Sequence, residues 1–281
     1  MVGIVESSYY RVPSEGKKGN KPSKKTFHST NGYVAQDTVV ASVKEVLSHE
    51  FIDCGYRLMT SYLVREGYVI NHKKLYRIMK EEGLLKLDNR INRSGSGRKF
   101  VKFRKVNTIR PMECLEMDIK MVWIPNVGKN AYLLSVIDVH TRRILKDYFS
   151  FNIKQNHVIT LLSELFENYD YPNNVVIRSD NGSQFIAKKV REYLGLIGVQ
   201  QEFTHIATPE ENAHIEAYHG ILKKEVFKRF DYQYFGEIEQ ILKRFVKFYN
   251  NRRLHGLLGR ITPMEKWNTD KHKIMMKKLT A

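Results

Sequence analysis

Residues 114–125, CLEMDIKMVWIP, decide the fold. Leu115, Met117, Ile119 and Met121 alternate with Glu116, Asp118 and Lys120, the period of two that marks a β-strand with one apolar and one wet face. Asp118 is therefore expected on the polar side of a strand. A second run, NVVIR at 174–178, is short, apolar and β-branched, and it ends at Ser179, Asp180, Asn181 and Gly182. That reads as a buried strand running into a turn, with the Asp180 carboxylate at the sheet's carboxyl edge. The third acid belongs to a helix. From Pro209 to Phe227 the acids Glu210 and Glu211 come first and lysines follow, as a helix macrodipole prefers. Ile215, Ala217, Tyr218, Ile221, Leu222 and Val226 supply its apolar face and leave Glu216 beside it.

Taken singly, each acid has a plainer role: an Asp after a strand commonly forms a turn or caps a helix, and a Glu on an amphipathic helix is commonly a solvated charge. With 30 acids in 281 residues, spacing alone selects none of them. What the three share is donor type. Hard oxygen ligands from separate elements are what a pair of Mg²⁺ ions requires to cut and rejoin phosphodiesters, and Mn²⁺ can substitute.

The charge suits such a substrate. A net charge of +17 points to nucleic acid or to an anionic membrane surface. No apolar run approaches the roughly 18 residues of a membrane span and no secretory signal is visible, so the membrane reading falls. Cys54 and Cys114 have neither metal-site spacing nor a disulfide framework, and they read as small buried residues in a reducing cytoplasm. In a bacterium that compartment also holds the nucleoid DNA.

Composition divides the chain. Residues 1–35 read as a basic flexible arm, with RVPSEGKKGNKPSKKTFHST at 11–30 poor in aliphatics. Residues 36–85 read as a small all-α domain: one helix through Val39, Val40, Val43, Val46 and Leu47, a second from about Tyr56 to Glu66, a turn at Gly67, and a third that starts at the N-cap Asn71 and ends before Gly83. The third carries Lys73, Lys74 and Arg77 around Leu75, Ile78 and Met79, which suits a helix-turn-helix with its last helix on DNA; a helical hairpin with solvated lysines is the other reading. Residues 86–110 form a basic linker, with SGSG at 94–97 and Arg98, Lys99, Lys102, Arg104 and Lys105 available to a phosphate backbone. A catalytic core is expected over 111–267 and a basic C-terminal tail over 268–281. Within the core the pattern gives strands near 114–123, 131–138 and 142–149 as a meander, then helix 154–169 and the strand before Asp180. Helix 185–196, strand 200–204, the Glu216 helix and helix 236–250 follow. This is an α/β order, a mixed sheet covered by helices. Asp138 in VIDVHTRR is a fourth nearby acid that reads as a hairpin turn. Tyr249, Asn250, Arg252, Arg253 and His255 either hold a phosphate or close a helix C-terminus.

The segments CGYRLMTSYLVREGYVINHKKLYRIMKEEGLL, LEMDIKMVWIP, YLLSVIDVHTRRIL, IRSDNGSQF, ENAHIEAYHGILKKE and FYNNRRLHGLLGRITPMEKW together resemble the OrfB-type insertion-sequence transposases, the IS-three group of the DDE transposase and retroviral integrase superfamily. The resemblance runs over roughly residues 54–267. It implies an RNase H-like core with a five-stranded mixed sheet, Asp118, Asp180 and Glu216 as the catalytic and metal-holding triad, and Lys223, with Lys224 beside it, at the donor-end DNA. It further implies double-stranded DNA partners (terminal inverted repeats and target), an oligomer of this chain on DNA, and an upstream reading frame that supplies a partner or a fusion. Three positions depart from the family pattern: Lys120 follows the Asp-Ile pair where Thr is common, Glu211 replaces Asp before Asn-Ala, and Arg253-Leu254-His255 replaces Arg-Pro-His. None removes a triad carboxylate. Two alternatives stand beside a transposase: a non-catalytic DNA-binding regulator built on residues 36–85, and an RNase H-like nuclease without strand transfer.

Overall fold

The structure, a computed structural model, describes residues 23–86, 107–205 and 209–275. Its first unit is helical with a small sheet. Strands β1 (Lys25–His28) and β2 (Gly32–Ala35) form a hairpin, followed by α1 (Gln36–Ser48), α2 (Tyr56–Arg65), β3 (Tyr68–Val69) and α3 (His72–Glu81). The last stretch of the expected flexible arm is thus folded: β1 pairs with β2 on one side and with β3 on the other, Phe27 opposite Val69. Residues 1–22 of that arm, and the linker positions Arg98, Lys99, Lys102, Arg104 and Lys105, lie outside the described residues.

The three helices follow the sequence pattern. Val39, Val43, Met59, Leu63, Leu75, Ile78 and Met79 are fully or almost fully buried between them. Asn71 caps α3, its Oδ1 accepting the Lys74 amide at 2.8 Å. Gly83, at φ +67°, closes that helix in a conformation that side chains rarely adopt. Asn71→Ala is expected to lower stability by about 1 kcal/mol and Asn71→Ser to leave it nearly unchanged, measured by denaturant unfolding. Equal stability of the two variants would show that the cap contributes nothing.

In the second unit β4 (Cys114–Ile124), β5 (Lys129–Asp138) and β6 (Ile144–Ser150) form an antiparallel meander. After α4 (Gln155–Asn168), β7 (Val176–Ser179) pairs in parallel with the free side of β4. After α5 (Lys188–Leu196), β8 (Gln200–Phe203) pairs in parallel with β7, and the order is β6-β5-β4-β7-β8. Helices α6 (Ala213–Leu222), α7 (Phe235–Asn251) and α8 (Pro263–Asp270) complete the unit. A five-stranded mixed sheet with helices on both faces is the RNase H-like fold that the resemblance implies.

The central strand β4 is covered on both sides. Leu115 and Met117 join Leu134, Val136, α4, α5 and Trp267 in one core; Val122 and Ile124 join Leu133, Ile137, α6, α7 and the whole N-terminal helical unit in the other. The face expected to be wet is therefore roofed, and Glu116 is 1% exposed. The basic tail also begins later than expected. Trp267 and Ile274 are buried in the first core, and Asp270 accepts His140 Nε2 at 2.7 Å and the ammonium groups of Lys266 and Lys273 at 2.6 Å each. These contacts make residues 268–274 part of the folded unit.

The two units share the second core. Phe51, after α1, packs against Phe230, Phe245 and Phe248 with ring centroids 5.3, 5.3 and 5.5 Å away. Around it Tyr62 Oη donates to the Arg252 carbonyl, Arg65 pairs with Glu265 and Arg244 with Glu50. The last two pairs are exposed and contribute little; the apolar seam does most of the holding. No described helix is long and apolar enough to cross a membrane.

Candidate active site

The parallel pairing of β4 with β7 sets Cys114 opposite Val176, Leu115 opposite Ile177 and Glu116 opposite Arg178. Two residues further along both chains stand Asp118 and Asp180, so the register carries these two acids to one edge of neighbouring strands. Asp118 is half-buried and Asp180, just past the strand, is exposed. The turn after β7 fixes Asp180 locally: the Gly182 amide donates to its Oδ1 at 2.9 Å, and Asn181 Nδ2 donates to the Thr204 carbonyl at 3.0 Å. A Cβ at residue 182 would come within 3.0 Å of that same carboxylate oxygen, and a glycine avoids the crowding.

The third acid arrives on α6, and β4 itself anchors that helix. Glu116 Oε2 accepts the amides of His214 and Ile215 at 2.9 Å each, and Oε1 meets His214 Nδ1 at 2.6 Å. A buried carboxylate thus satisfies the orphan N–H groups of α6's first turn and meets the positive end of its dipole. Asn212 Nδ2 adds a long contact to the Met117 carbonyl at 3.5 Å. One turn beyond Glu216, His219 Nδ1 stands 3.2 Å from Asp118 Oδ2. Glu216 itself is on the exposed side of α6. Among the described residues no three His, Cys, Asp or Glu side chains are gathered closely enough to hold one ion. Backbone register sets Asp118 and Asp180 two residues beyond a paired position of neighbouring strands, Glu116 ties the first turn of the Glu216 helix to β4, and the three side chains are not gathered into one ligand set. The donor chemistry still suits a hard cation: the three side chains offer oxygen only, Asp180 and Glu216 are exposed, and the Gly182 amide on Asp180 Oδ1 leaves lone pairs to spare.

Beyond α6 the chain makes one π-helical turn, Lys223–Phe227. It leaves Lys223 and Lys224 exposed while Glu225 and Val226 turn inward. Glu225 there takes both Nε and Nη2 of Arg253, at 3.0 and 2.9 Å. Arg253, expected at the DNA, is thus occupied in a largely buried ion pair. Its neighbours are likewise structural. Asn250 exchanges two hydrogen bonds with the Ile144 backbone, Tyr249 is buried, and burial together with Arg253 and Arg142 holds His255 down at about 3. Of that group only Arg252 is exposed. On α3, Lys73 is exposed, whereas Lys74 Nζ donates to the Lys25 carbonyl and Arg77 lies by Glu81.

Other acids have local duties. Asp138 is fully buried and accepts the Met112 and Thr141 amides and the Thr141 hydroxyl, the hairpin role expected of it. Glu211, the departure from Asp, accepts the His205 amide at 2.9 Å, and its carbonyl accepts Arg178 Nη1 at 2.8 Å. Burial pushes both thiols, Cys54 and Cys114, up to about 12, which keeps them protonated and inert. Glu116 and His219 are the residues that sequence reasoning missed; Glu116 was in view only as a member of the alternating strand.

Comparison with known proteins bears on the family of the chain. Two models described as integrase core domain match residues 109–209 and 197–263, and a model described as HTH-like domain matches 36–90. The chain is 28% identical over 223 residues to the putative transposase InsK for insertion sequence element IS150 of Escherichia coli, covering 75% of this chain and 76% of that protein. It is 25% identical over 230 residues to an IS407 protein of Burkholderia multivorans, with 82% and 81% covered. It is 22% identical over 244 residues to the transposase for insertion sequence element IS904 of Lactococcus lactis, with 84% and 96% covered. The catalytic core domain of BIV integrase superposes with a TM-score of 0.45 at 18% identity, covering 58% of this chain and 97% of that one. With an HTH-like domain, integrase-core matches that together run from 109 to 263, and insertion-sequence transposases as relatives along most of its length, the chain belongs to the integrase-core transposases of insertion sequences.

Proposed function

We propose that this transposase cleaves the ends of its insertion sequence and joins the new 3′-hydroxyl to target DNA, with Asp118, Asp180 and Glu216 holding two Mg²⁺ ions. The observation that carries the reading is the β4–β7 register, which aligns two of the acids, together with the Glu116 anchor that ties the third acid's helix to the same strand. Mg²⁺, when bound, supplies the positive charge that acidifies an attacking hydroxyl and stabilises a departing oxygen, and Mn²⁺ can replace it. The chain's own part is to present the three carboxylates at an open edge and to neutralise DNA phosphates with Lys223 and Lys224. No residue is required to bond covalently to DNA.

Recognition falls to the HTH-like unit. Lys73, Lys74 and Arg77 on α3, Arg252 beside α7, and the linker cations Arg98, Lys99, Lys102, Arg104 and Lys105 contact the phosphates of terminal inverted repeats and target. Two ends must be paired, so the working form is an oligomer of this chain on DNA, alone or joined to an upstream-frame product. The deciding experiment is a strand-transfer assay with this chain, the DNA ends flanking its gene, some supplied already cut, and Mg²⁺ or Mn²⁺. Joining of the pre-cut 3′-hydroxyls is the expected result; cleavage without joining would identify a nuclease instead.

Phosphate contact has its own signature. The logarithm of the binding constant is expected to fall linearly with the logarithm of salt concentration, by about 0.9 for each phosphate neutralised. Lys73→Ala is expected to weaken all DNA sequences alike and to reduce that slope by about 1. A slope that does not move would remove Lys73 from the interface.

A further inference from the structure

Both oxygens of Asp118 are engaged by the protein. Oδ1 accepts the amide of the next residue, Ile119, at 2.7 Å, and Oδ2 faces His219 Nδ1 at 3.2 Å. His219 is not a surface residue that swings past: it is 5% exposed, in the seam between α6 and the sheet, beside the fully buried Tyr218 ring with centroids 5.8 Å apart. Its second nitrogen, Nε2, is buried and makes no hydrogen bond among the described residues. A neutral imidazole carries one proton, and facing a carboxylate that proton belongs on Nδ1. Packing fixes the ring, and Nδ1 therefore stands at a fixed place beside Asp118 Oδ2.

A carboxylate turns about its last torsion in a broad, two-fold well, so Asp118 alone would sample many orientations. The backbone amide of Ile119 restrains one oxygen from the chain's own side. His219 restrains the other from across the α6–β4 seam, and α6 is the helix that also carries Glu216. We propose that His219 is a positioning residue for Asp118: through Nδ1 it sets the rotation of that carboxylate, and with it the affinity of the edge for a divalent cation. The inference rests on the reading of Asp118 as a metal ligand. Residues that hydrogen-bond a ligating side chain are typically worth about 10- to 100-fold in metal affinity, and that is the size of effect expected here.

The test is Mn²⁺ binding by the full chain, followed through the electron paramagnetic resonance signal of the free ion, for the wild type and for His219→Ala, His219→Asn, His219→Gln and Asp118→Asn. The amide nitrogen of Asn falls near the place of Nδ1, whereas that of Gln falls near the place of Nε2. His219→Ala is expected to weaken binding roughly 10- to 100-fold, His219→Asn to recover most of the loss, and His219→Gln to recover little. If the alanine variant does not fold, the Asn and Gln pair decides, since each fills the seam with a polar side chain and only one offers its donor to Asp118. Wild-type affinity in His219→Ala, or equal affinity in the Asn and Gln variants, overturns the positioning role. If Asp118→Asn loses Mn²⁺ while every His219 variant keeps it, this inference alone falls. If Asp118→Asn binds as the wild type does, the ligand reading falls first and the role of His219 with it.

Discussion

Asp118→Asn, Asp180→Asn and Glu216→Gln are each expected to abolish cleavage and joining while leaving DNA binding and fold nearly intact. Each swap removes one negative charge and one hard oxygen donor and hardly changes volume. The loss should be large: deleting a single neutral hydrogen-bond donor from a preorganised site costs on the order of 10²–10³ in rate, and a full charge on a metal ligand counts for more. Stability should barely move for Asp180→Asn and Glu216→Gln, because both residues are exposed, and Asp118→Asn, at a half-buried position, keeps an oxygen for the Ile119 amide. Strand-transfer rates, a filter-binding isotherm and a thermal melt on the same preparations separate the three quantities. Mg²⁺-dependent joining retained in any one variant would take that residue out of the triad.

Glu116→Ala is expected to fail differently, losing stability and activity together. Its carboxylate is 1% exposed and takes the His214 and Ile215 amides at 2.9 Å each, plus the His214 ring. Truncation leaves two buried N–H groups at the start of α6 without an acceptor, each costing about 1–3 kcal/mol, and removes the charge that meets the helix dipole. A total of roughly 2–6 kcal/mol is expected, reaching the upper end of what a single substitution costs. Since α6 carries both Glu216 and His219, strand transfer should fall with it. Glu116→Gln keeps an acceptor oxygen for the amides, so it should fall between alanine and the wild type. Denaturant unfolding that places Glu116→Ala within about 0.5 kcal/mol of the wild type, with full joining activity, would show that α6 is held by something else.

Glu116 also marks the limit of what the sequence discloses. The alternation at 114–125 located the central strand, and the β-branched run before Ser179 located its parallel neighbour, because period and composition are local properties. Whether the polar face of β4 is wet depends on what packs over it, and α6, α7 and the N-terminal helices come from far along the chain. The same holds for β1, whose pairing of Phe27 with Val69 is non-local; a basic stretch poor in aliphatics carries no sign of a distant partner. The α8 helix was a different kind of miss. Thr262, Pro263 and Glu265 spell out its start, and the structure shows the reciprocal box, with the Glu265 amide donating to Thr262 Oγ1 at 3.1 Å and the Thr262 amide donating to Glu265 Oε2 at 2.7 Å. That signal is local and legible, and it places a helix start just ahead of the expected basic tail. The three proposed triad positions are nameable from their sequence context; the contacts around them, from His219, Gly182 and Glu116, arise only when the chain is folded.

The seating of Phe51 among three rings of the larger unit bears on where cuts fall. On the proposed function, with α3 as the reading element and the acidic edge as the cutting one in a single packed body, the stretch of duplex between the sequence recognised and the bond broken is measured by protein dimensions. Lengthening the chain between residues 86 and 107 would then leave that offset unchanged, whereas prising Phe51 from its seat would blur it.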